Sequence, residues 1–211
     1  MLRGRFAFDP ESHVYSLYGK RYRYIVPGTT EILRAAGYYA TAFYTREGRE
    51  RGSAIHRLSA ALDLGLVDVD KLMRLSISGY LRAFVRFKEE NTHRFDAEWI
   101  EGAVVNRRLG FATHVDRAGA LGGPMVLNLK TGSPSPADPV QSALELLALD
   151  GRWSPRRRYT LYLGANGRYK LVEHVNAGDE RSALEALGIW RRNEHQESRH
   201  GRLALLDPVP A

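Results

Sequence analysis

Three apolar segments at the centre of the chain, joined by very short connections, restrict the possible fold more than any other feature. The segments are residues 99–105, 111–118 and 124–130, and turn-forming residues fill the connections 106–110 and 119–123. Parallel neighbours need a crossover of about a dozen residues or more, so strands this close in sequence are expected to pair antiparallel. The sequence therefore predicts an antiparallel meander.

Helix and hairpin patterns surround the predicted meander. Apolar and polar residues alternate over residues 6–24 and 159–174, which predicts β-hairpins. Apolar stripes at helical spacing predict helices over residues 31–36, 47–64, 68–90, 138–148 and 179–197. The expected fold class is α/β, with a mixed sheet built on the antiparallel meander and flanked by helices. At 211 residues the chain has the length of one domain, with a hairpin and helices in 1–95, a core in 96–200 and a tail in 201–211.

The absence of cysteine excludes several kinds of site. Disulfides, thiolate-bound zinc and an iron–sulfur cluster all need cysteine, and the chain has none. A metal site must therefore use histidine, carboxylate or carbonyl ligands. The sequence also lacks an apolar stretch of about 18 residues and an N-terminal signal-peptide core, so we expect a cytoplasmic protein with no membrane partner.

The arginines occur in groups on a chain with a formal net charge of +7. One group includes Arg49 and Arg51, and another contains Arg107 and Arg108. Clustered arginines bind phosphates by displacing counterions, so these four residues are candidate nucleic-acid ligands. A solvated positive surface without such a partner also explains the composition.

Residues 126–132, Val-Leu-Asn-Leu-Lys-Thr-Gly, predict a strand with a polar and an apolar face. Strand alternation places Asn128 and Lys130 on one face and two leucines on the other. Asp116, near the end of the preceding strand, is expected beside the polar face. Oxygen ligands bind hard cations such as Mg²⁺, which polarise a phosphate and lower the pKa of water, and a nearby lysine can orient or deprotonate the nucleophile. This combination suits phosphodiester hydrolysis.

Further motifs stand in a fixed order around these residues. They are His13-x-Tyr15, Val26-Pro27-Gly28-Thr29-Thr30, the segment from Arg51 to His56, Glu101 with Val104, Asp116, the segment from Asn128 to Gly132, and Gln141. This order resembles that of the RecB-like exonucleases of the PD-(D/E)XK nuclease superfamily, in particular the small versions encoded by bacteriophages. The likeness covers nearly the whole chain, and the shared order and spacing give weight to motifs that are weak alone.

The resemblance implies a metal-dependent DNA nuclease that hydrolyses phosphodiester bonds with Mg²⁺ or Mn²⁺. The site it implies consists of the metal ligands His56, Asp116, Asn128 and the backbone carbonyl of Leu129, the catalytic lysine Lys130, and the further catalytic candidates Glu101 and Gln141. An exonuclease that acts on linear double-stranded DNA in recombination is the narrower expectation, and it comes from the family alone.

Several of these residues also have simpler explanations. Glu101 could pair with Arg107 or Arg108 across its hairpin, and Gln141 could only cap its helix. The direction of His114 depends on the strand register, so its role stays open at this point.

Two positions depart from the family pattern. The family has Asp or Glu where this chain has Asn128, and a Gly-Thr pair where it has Thr113-His114. An amide oxygen lacks the negative charge that holds a hard dication, so Asn128 predicts impaired metal binding and activity. Asn128 is either natural or an introduced substitution, and the retention of Lys130 and Asp116 favours the second explanation.

A second hypothesis follows from Asn128, namely a catalytically inactive DNA-binding or assembly module on a nuclease scaffold. DNA is the expected partner under both hypotheses. A single-strand annealing or other recombination protein and further copies of the chain in a homo-oligomer are candidate partners by analogy, and a phage-encoded protein would act in the cytoplasm of a bacterial host.

Overall fold

The computed structural model describes residues 4–39, 45–149 and 157–199, with side chains described as far as Glu194. The described residues form ten strands: β1 (Arg5–Asp9), β2 (Val14–Tyr18), β3 (Arg23–Val26), β4 (His93–Phe95), β5 (Gly102–Asn106), β6 (Phe111–Val115), β7 (Arg117–Leu121), β8 (Pro124–Lys130), β9 (Arg157–Leu163) and β10 (Tyr169–Glu173). They also form the helices α1 (Thr29–Ala35), α2 (Arg46–Asp63), α3 (Val69–Leu72), α4 (Ser78–Glu90), α5 (Ala137–Leu149) and α6 (Gly178–Arg199), and a 3₁₀ helix at Ala97–Trp99. The predicted tail, 201–211, lies outside the described residues.

The largest sheet is five-stranded and mixed, with the strand order β10-β9-β8-β7-β4. Strands β8 and β9 pair in parallel, and α5 forms part of the crossover between them. Strands β1, β2 and β3 form an antiparallel sheet, and β5 pairs with β6. The predicted α/β class with a mixed sheet is therefore confirmed. Among the described residues, no helix has both the length and the apolar character needed to cross a bilayer.

The predicted strand 111–118 is wrong in one respect that matters for the site. It consists of two strands, because β6 pairs with β5 whereas β7 pairs with β8 and β4. The change of partner falls at Asp116, which belongs to neither strand. The meander therefore bends away from the main sheet at the residue that was predicted to bind metal.

Two other predicted boundaries also differ from the structure. The predicted helix 68–90 is interrupted by a turn between α3 and α4, and Ser78 and Gly79 at the start of α4 are weak helix formers. The predicted strand that starts at Trp99 begins at Gly102 instead, after the 3₁₀ helix and Glu101. The bounds of α1, α2, α5 and α6 lie within two residues of the prediction.

Helices cover both faces of the main sheet. Helices α1, α5 and α6 enclose one apolar cluster, in which Leu144 packs near Val126 of β8. Helices α2 and α4 enclose the other cluster, in which Phe84 packs with Leu127 and Leu129. Successive residues of a strand point to opposite faces, so the even-numbered residues of β8 face α5. The two polar residues of β8 therefore lie under α5, at the end of the strand.

Candidate metal centre

Asp116 occupies the break between β6 and β7, from which its side chain reaches β8. Its Oδ2 accepts a hydrogen bond of 2.7 Å from the backbone N–H of Leu129, and its Oδ1 lies 3.3 Å from Nδ1 of His56. Burial opposes ionisation of Asp116, but the positive charges of His56 and Lys130 outweigh burial and lower its pKa. The buried carboxylate is therefore ionised at neutral pH.

His56 projects from α2 toward the same end of β8. Its Nε2 lies 3.2 Å from the carbonyl oxygen of Leu129, and its Nδ1 lies 3.2 Å from Oε1 of Glu101. The neighbouring Ile55 is fully buried, which fixes this part of α2 against the sheet. Burial lowers the pKa of His56, but the carboxylates of Asp116 and Glu101 outweigh burial and raise it to about 10. The imidazole thus lies between two acids and a backbone carbonyl.

Glu101 stands just before β5, with a φ of 52° that is uncommon for a residue other than glycine. Its backbone N–H donates to the carbonyl of Asp116 at 3.0 Å, which joins the start of β5 to the break after β6. Its Oε2 lies 3.4 Å from Nδ1 of His114. His114, whose direction depended on register, therefore points toward the acid. These contacts place Glu101 inside the candidate site.

Arg117 lies behind the site, inside the protein, and was assigned no role in the site from the sequence. The side chain is fully buried and donates to Glu101 Oε1 at 2.9 Å, to Asp63 Oδ2 at 2.7 Å and to Ser59 Oγ at 2.9 Å. It also donates to the backbone carbonyl of Asp116. Arg117 thus fixes the position of Glu101 from inside the protein.

Lys130 and Gln141 meet between β8 and α5. The ammonium of Lys130 donates to Oε1 of Gln141 at 2.7 Å, and the hydroxyl of Tyr39 donates to the same oxygen at 3.2 Å. The amide nitrogen of Gln141 donates to Oδ1 of Asn128 and to Oε1 of Glu145, both at 2.9 Å. Gln141 therefore does more than cap α5, because it links the predicted catalytic lysine to the predicted metal-ligand position.

Glu145 completes this network, and sequence reasoning missed it. The residue is fully buried, and its Oε2 accepts a hydrogen bond of 2.8 Å from Nδ2 of Asn128. A signal was present in the sequence, since Glu145 follows Gln141 by one helical turn and lies beside Leu144 in an otherwise apolar helix. Burial and the carboxylate of Asp116 raise the pKa of Glu145.

The β1–β3 sheet lies beside the same acids. Tyr15 is buried on β2, and its hydroxyl lies 3.2 Å from Nε2 of His13. Burial, and then the carboxylates of Glu145 and Asp116, raise the pKa of Tyr15. The ring centroid of His13 lies 6.3 Å from that of His114, which contacts Glu101. The motif His13-x-Tyr15 is therefore close to the candidate site.

Two of the four candidate DNA-binding arginines lie on the helix that carries His56. Arg49 is exposed and precedes His56 by two helical turns, about 10 Å along the axis. The guanidinium of Arg51 lies over the ring of Tyr80, 5.4 Å from its centroid. Arg49 and Arg51 therefore place basic groups on the N-terminal half of α2, which also carries the Arg46–Glu50 ion pair.

The other pair, Arg107 and Arg108, lies in the turn between β5 and β6. Glu101 and Asp116 are at the opposite end of this hairpin, about five residues or 17 Å away. The structure does not bring these two arginines to the site, and their role in DNA binding stays a prediction.

The donor atoms fit a hard divalent cation. One ligand atom from each of His56, Glu101 and Asp116 lies within 4.8 Å of the other two, and the carbonyl of Leu129 is adjacent to His56. Carboxylate and carbonyl oxygens with one imidazole are suitable ligands for Mg²⁺ or Mn²⁺. Glu101, predicted as a catalytic residue, lies among these ligands, whereas the side chain of Asn128 is hydrogen-bonded to residues of α5.

Comparisons with protein-family models and with curated proteins give no match for this sequence. The function must therefore be inferred from the chemistry of the site.

Proposed function

We propose that the protein is a metal-dependent DNA nuclease with a RecB-like PD-(D/E)XK core. The observation that carries the proposal is the convergence of Asp116, His56 and Lys130 at the end of β8. Asp116 and His56 both contact the backbone of Leu129, the residue before Lys130. Ligands for a hard cation and a lysine beside them are the groups that phosphodiester hydrolysis needs.

The fold is compatible with this proposal. The break at Asp116 and the end of β8 are adjacent, because β7 pairs antiparallel with β8 from Arg117 onward. Helix α5 then crosses to β9, and Gln141 on its first turns lies over Lys130. The two chain segments and the helix that resemble the family's motifs are therefore neighbours in space.

A divalent cation held by Asp116, Glu101, His56 and the carbonyl of Leu129 would polarise the phosphodiester and stabilise the negative charge that develops during hydrolysis. The chain's own groups do the positioning. Arg117 holds Glu101 from behind, and the N–H of Leu129 holds Asp116.

Lys130 supplies the positive charge on the other side of the site. Its ammonium is fixed by Gln141 and retains further N–H donors for a phosphate oxygen or for the attacking water. Gln141 is itself fixed by Asn128 and Glu145. This network therefore holds the ammonium of Lys130 in place although the lysine side chain is flexible. Pre-organisation of this kind raises the rate because no reorganisation is needed during reaction.

The arginines of α2 favour DNA as the substrate. Arg49 is exposed near the start of the helix, beside the Arg46–Glu50 ion pair, and the chain carries a net charge of +7. A polyanion that follows this helix toward His56 would bring a phosphodiester to the cation ligands. An exonuclease role in recombination, with an annealing protein or further copies of the chain as partners, is a narrower proposal that depends on the family resemblance.

The test is a cleavage assay with Mn²⁺ on linear duplex, circular duplex, single-stranded and branched DNA. We expect the unmodified chain to degrade linear DNA with the reduced activity that Asn128 predicts, and Asp116→Asn and Lys130→Ala to lower this activity by a further roughly 100-fold or more. Glu173→Gln is the control, because Glu173 pairs with Arg157 at the surface and should be dispensable. Degradation of linear DNA with the circle left intact would indicate an exonuclease.

One outcome would support the second hypothesis instead. If the unmodified chain and Asn128→Asp both bind DNA in a gel-shift assay but neither cuts any substrate with Mn²⁺ or Mg²⁺, the nuclease proposal fails. A DNA-binding or assembly module on a nuclease scaffold would then be the better description.

A further inference from the structure

A buried carboxylate on α5 lies against the residue that departs from the family pattern. Glu145 has no exposed surface, and its Oε2 is 2.8 Å from Nδ2 of Asn128. Among the residues that the structure describes, Glu145 forms no ion pair with lysine or arginine. Burying a carboxylate without a paired cation is costly, so its presence needs an explanation other than packing.

The hydrogen bonds of Glu145 come from two side-chain amides. Asn128 donates to one carboxylate oxygen, and Gln141 donates to the other at 2.9 Å. The remaining amide hydrogen of Gln141 bonds to Oδ1 of Asn128. Asn128, Gln141 and Glu145 therefore each have a fixed orientation, and both side-chain amides donate to the same carboxyl group.

The position of the acid has a simple relation to Asn128. Asn128 lies at the end of β8, where a carboxylate would be next to the cation ligands, but its side chain is neutral. Glu145 brings a carboxylate to this side chain from the helix above. Gln141 donates to this acid and accepts from Lys130, so the acid is also linked to the predicted catalytic lysine.

Packing alone would favour an apolar residue at position 145. The neighbouring Leu144, Ala143 and Ala148 are buried in the α1–α5–α6 cluster. A leucine at position 145 would remove the desolvation cost of the acid. The acid and its two amide donors are therefore explained better by a function of the carboxyl group than by packing.

We propose that Glu145 supplies a further carboxylate to the cation site, beside those of Asp116 and Glu101 and in place of an acid at position 128, and that Asn128 and Gln141 hold it in position. This inference rests on the proposed cation-dependent function of the same site. It changes the significance of Asn128, because positions 128 and 145 then have exchanged chemical roles. The side chain at position 128 supplies the hydrogen-bond donor, and the side chain at position 145 supplies the charge.

The pair can be exchanged in a test. Mn²⁺ binding is measured by titration calorimetry on the full chain for the unmodified protein, Glu145→Gln, Asn128→Asp and Asn128→Asp/Glu145→Gln. We expect Glu145→Gln to weaken Mn²⁺ binding by about 100-fold, because the site loses a charged ligand. The double variant restores one acid and one amide donor across the same contact, so binding should recover to within about tenfold of the unmodified protein.

The single variant Asn128→Asp tests whether the contact between positions 128 and 145 is built for one acid, or whether an added acid at position 128 simply improves the site. It places a second carboxylate against Glu145, so the melting temperature of the metal-free protein should fall and should recover when Mn²⁺ is added. Glu173→Gln serves as a matched control, because it removes a surface carboxylate and should leave Mn²⁺ affinity unchanged. Circular dichroism melting establishes that each variant is folded.

The outcomes separate this inference from the nuclease proposal. If Glu145→Gln binds Mn²⁺ as tightly as the unmodified chain, the role of Glu145 is overturned, even if the protein cuts DNA. If Glu145→Gln loses Mn²⁺ and the double variant regains it while no DNA is cut, the role of Glu145 stands and the nuclease proposal fails. If Glu145→Gln does not fold, failure of the folded double variant to bind Mn²⁺ would overturn the inference.

Discussion

The replacement Arg117→Met tests the buried charge network behind the site. It removes the guanidinium but keeps an unbranched side chain of similar length next to Phe84 and Phe95, whose rings lie about 6 Å from the arginine. The side chain of Asp63, 2% exposed, then loses its bond to Arg117 and keeps Lys88 as its charged partner. Glu101 loses its hydrogen bond from Arg117 at the same time.

The expected loss is large because Asp63 and Glu101 each lose a hydrogen bond from a fully buried cation. Breaking one side of a buried ion pair costs about 3–5 kcal/mol, whereas an exposed pair contributes about 0–1 kcal/mol. We therefore expect Arg117→Met to lower the free energy of unfolding by about 3–5 kcal/mol, or roughly 10 °C in melting temperature for a chain of this size. The control is Arg157→Met, since the pair of Arg157 with Glu173 is 38% and 32% exposed.

Urea unfolding monitored by circular dichroism measures both losses. A double-mutant cycle with Asp63→Asn isolates the charge interaction, and the double variant should be less destabilised than the sum of the two single variants. If Arg117→Met and Arg157→Met were destabilised to the same extent, within about 1 kcal/mol, the proposed role of the buried network would be wrong.

Three further predictions concern other parts of the molecule. A Cβ at Gly79 would lie 1.8 Å from the carbonyl oxygen of Ala165, so Gly79→Ala should lower the free energy of unfolding in urea by about 1–3 kcal/mol. At Gly188 no atom would lie closer than 3.5 Å to the added Cβ, so Gly188→Ala should be neutral or stabilising by about 0.5–1 kcal/mol. Arg49→Ala should weaken DNA binding and lower the slope of log affinity against log salt by about 1, and an unchanged slope would remove Arg49 from the DNA surface. Burial lowers the pKa of His174 below its ordinary value of 6.5, so its contribution to stability is present above pH 6.5 and is lost as the pH falls toward the folded-state pKa. His174→Gln should therefore lose less stability than the unmodified protein between about pH 7.5 and pH 5.5, and equal losses would contradict this assignment.

Local sequence patterns predicted the parts of the site that belong to single strands. The alternation in β8 placed Asn128 and Lys130 on one face, and both side chains do face α5. The short connections predicted antiparallel neighbours, which brought Asp116 to the end of β8. These features depend on strand period and connection length, and both can be read from the order of residues in the sequence.

The missed features depend on how distant segments pack. A change of pairing partner at Asp116 cannot be inferred from the pattern of residues 111–118, because both halves are equally suited to a strand. Glu145 was missed because its burial depends on where α5 crosses β8. Arg117 was missed because Asp63 and Ser59, its partners, come from a helix more than 50 residues earlier in the chain.

The central claim is that the end of β8 binds a divalent cation for DNA hydrolysis, and its first half can be observed directly. Crystals of the unmodified chain, grown with Mn²⁺ and measured at the manganese absorption edge, would locate the cation by anomalous scattering. We predict a peak within coordination distance, about 2.0–2.6 Å, of a carboxylate oxygen of Asp116 and the carbonyl oxygen of Leu129. Mn²⁺ elsewhere on the surface, with no peak at Asp116 when Mn²⁺ is saturating, would contradict the assignment.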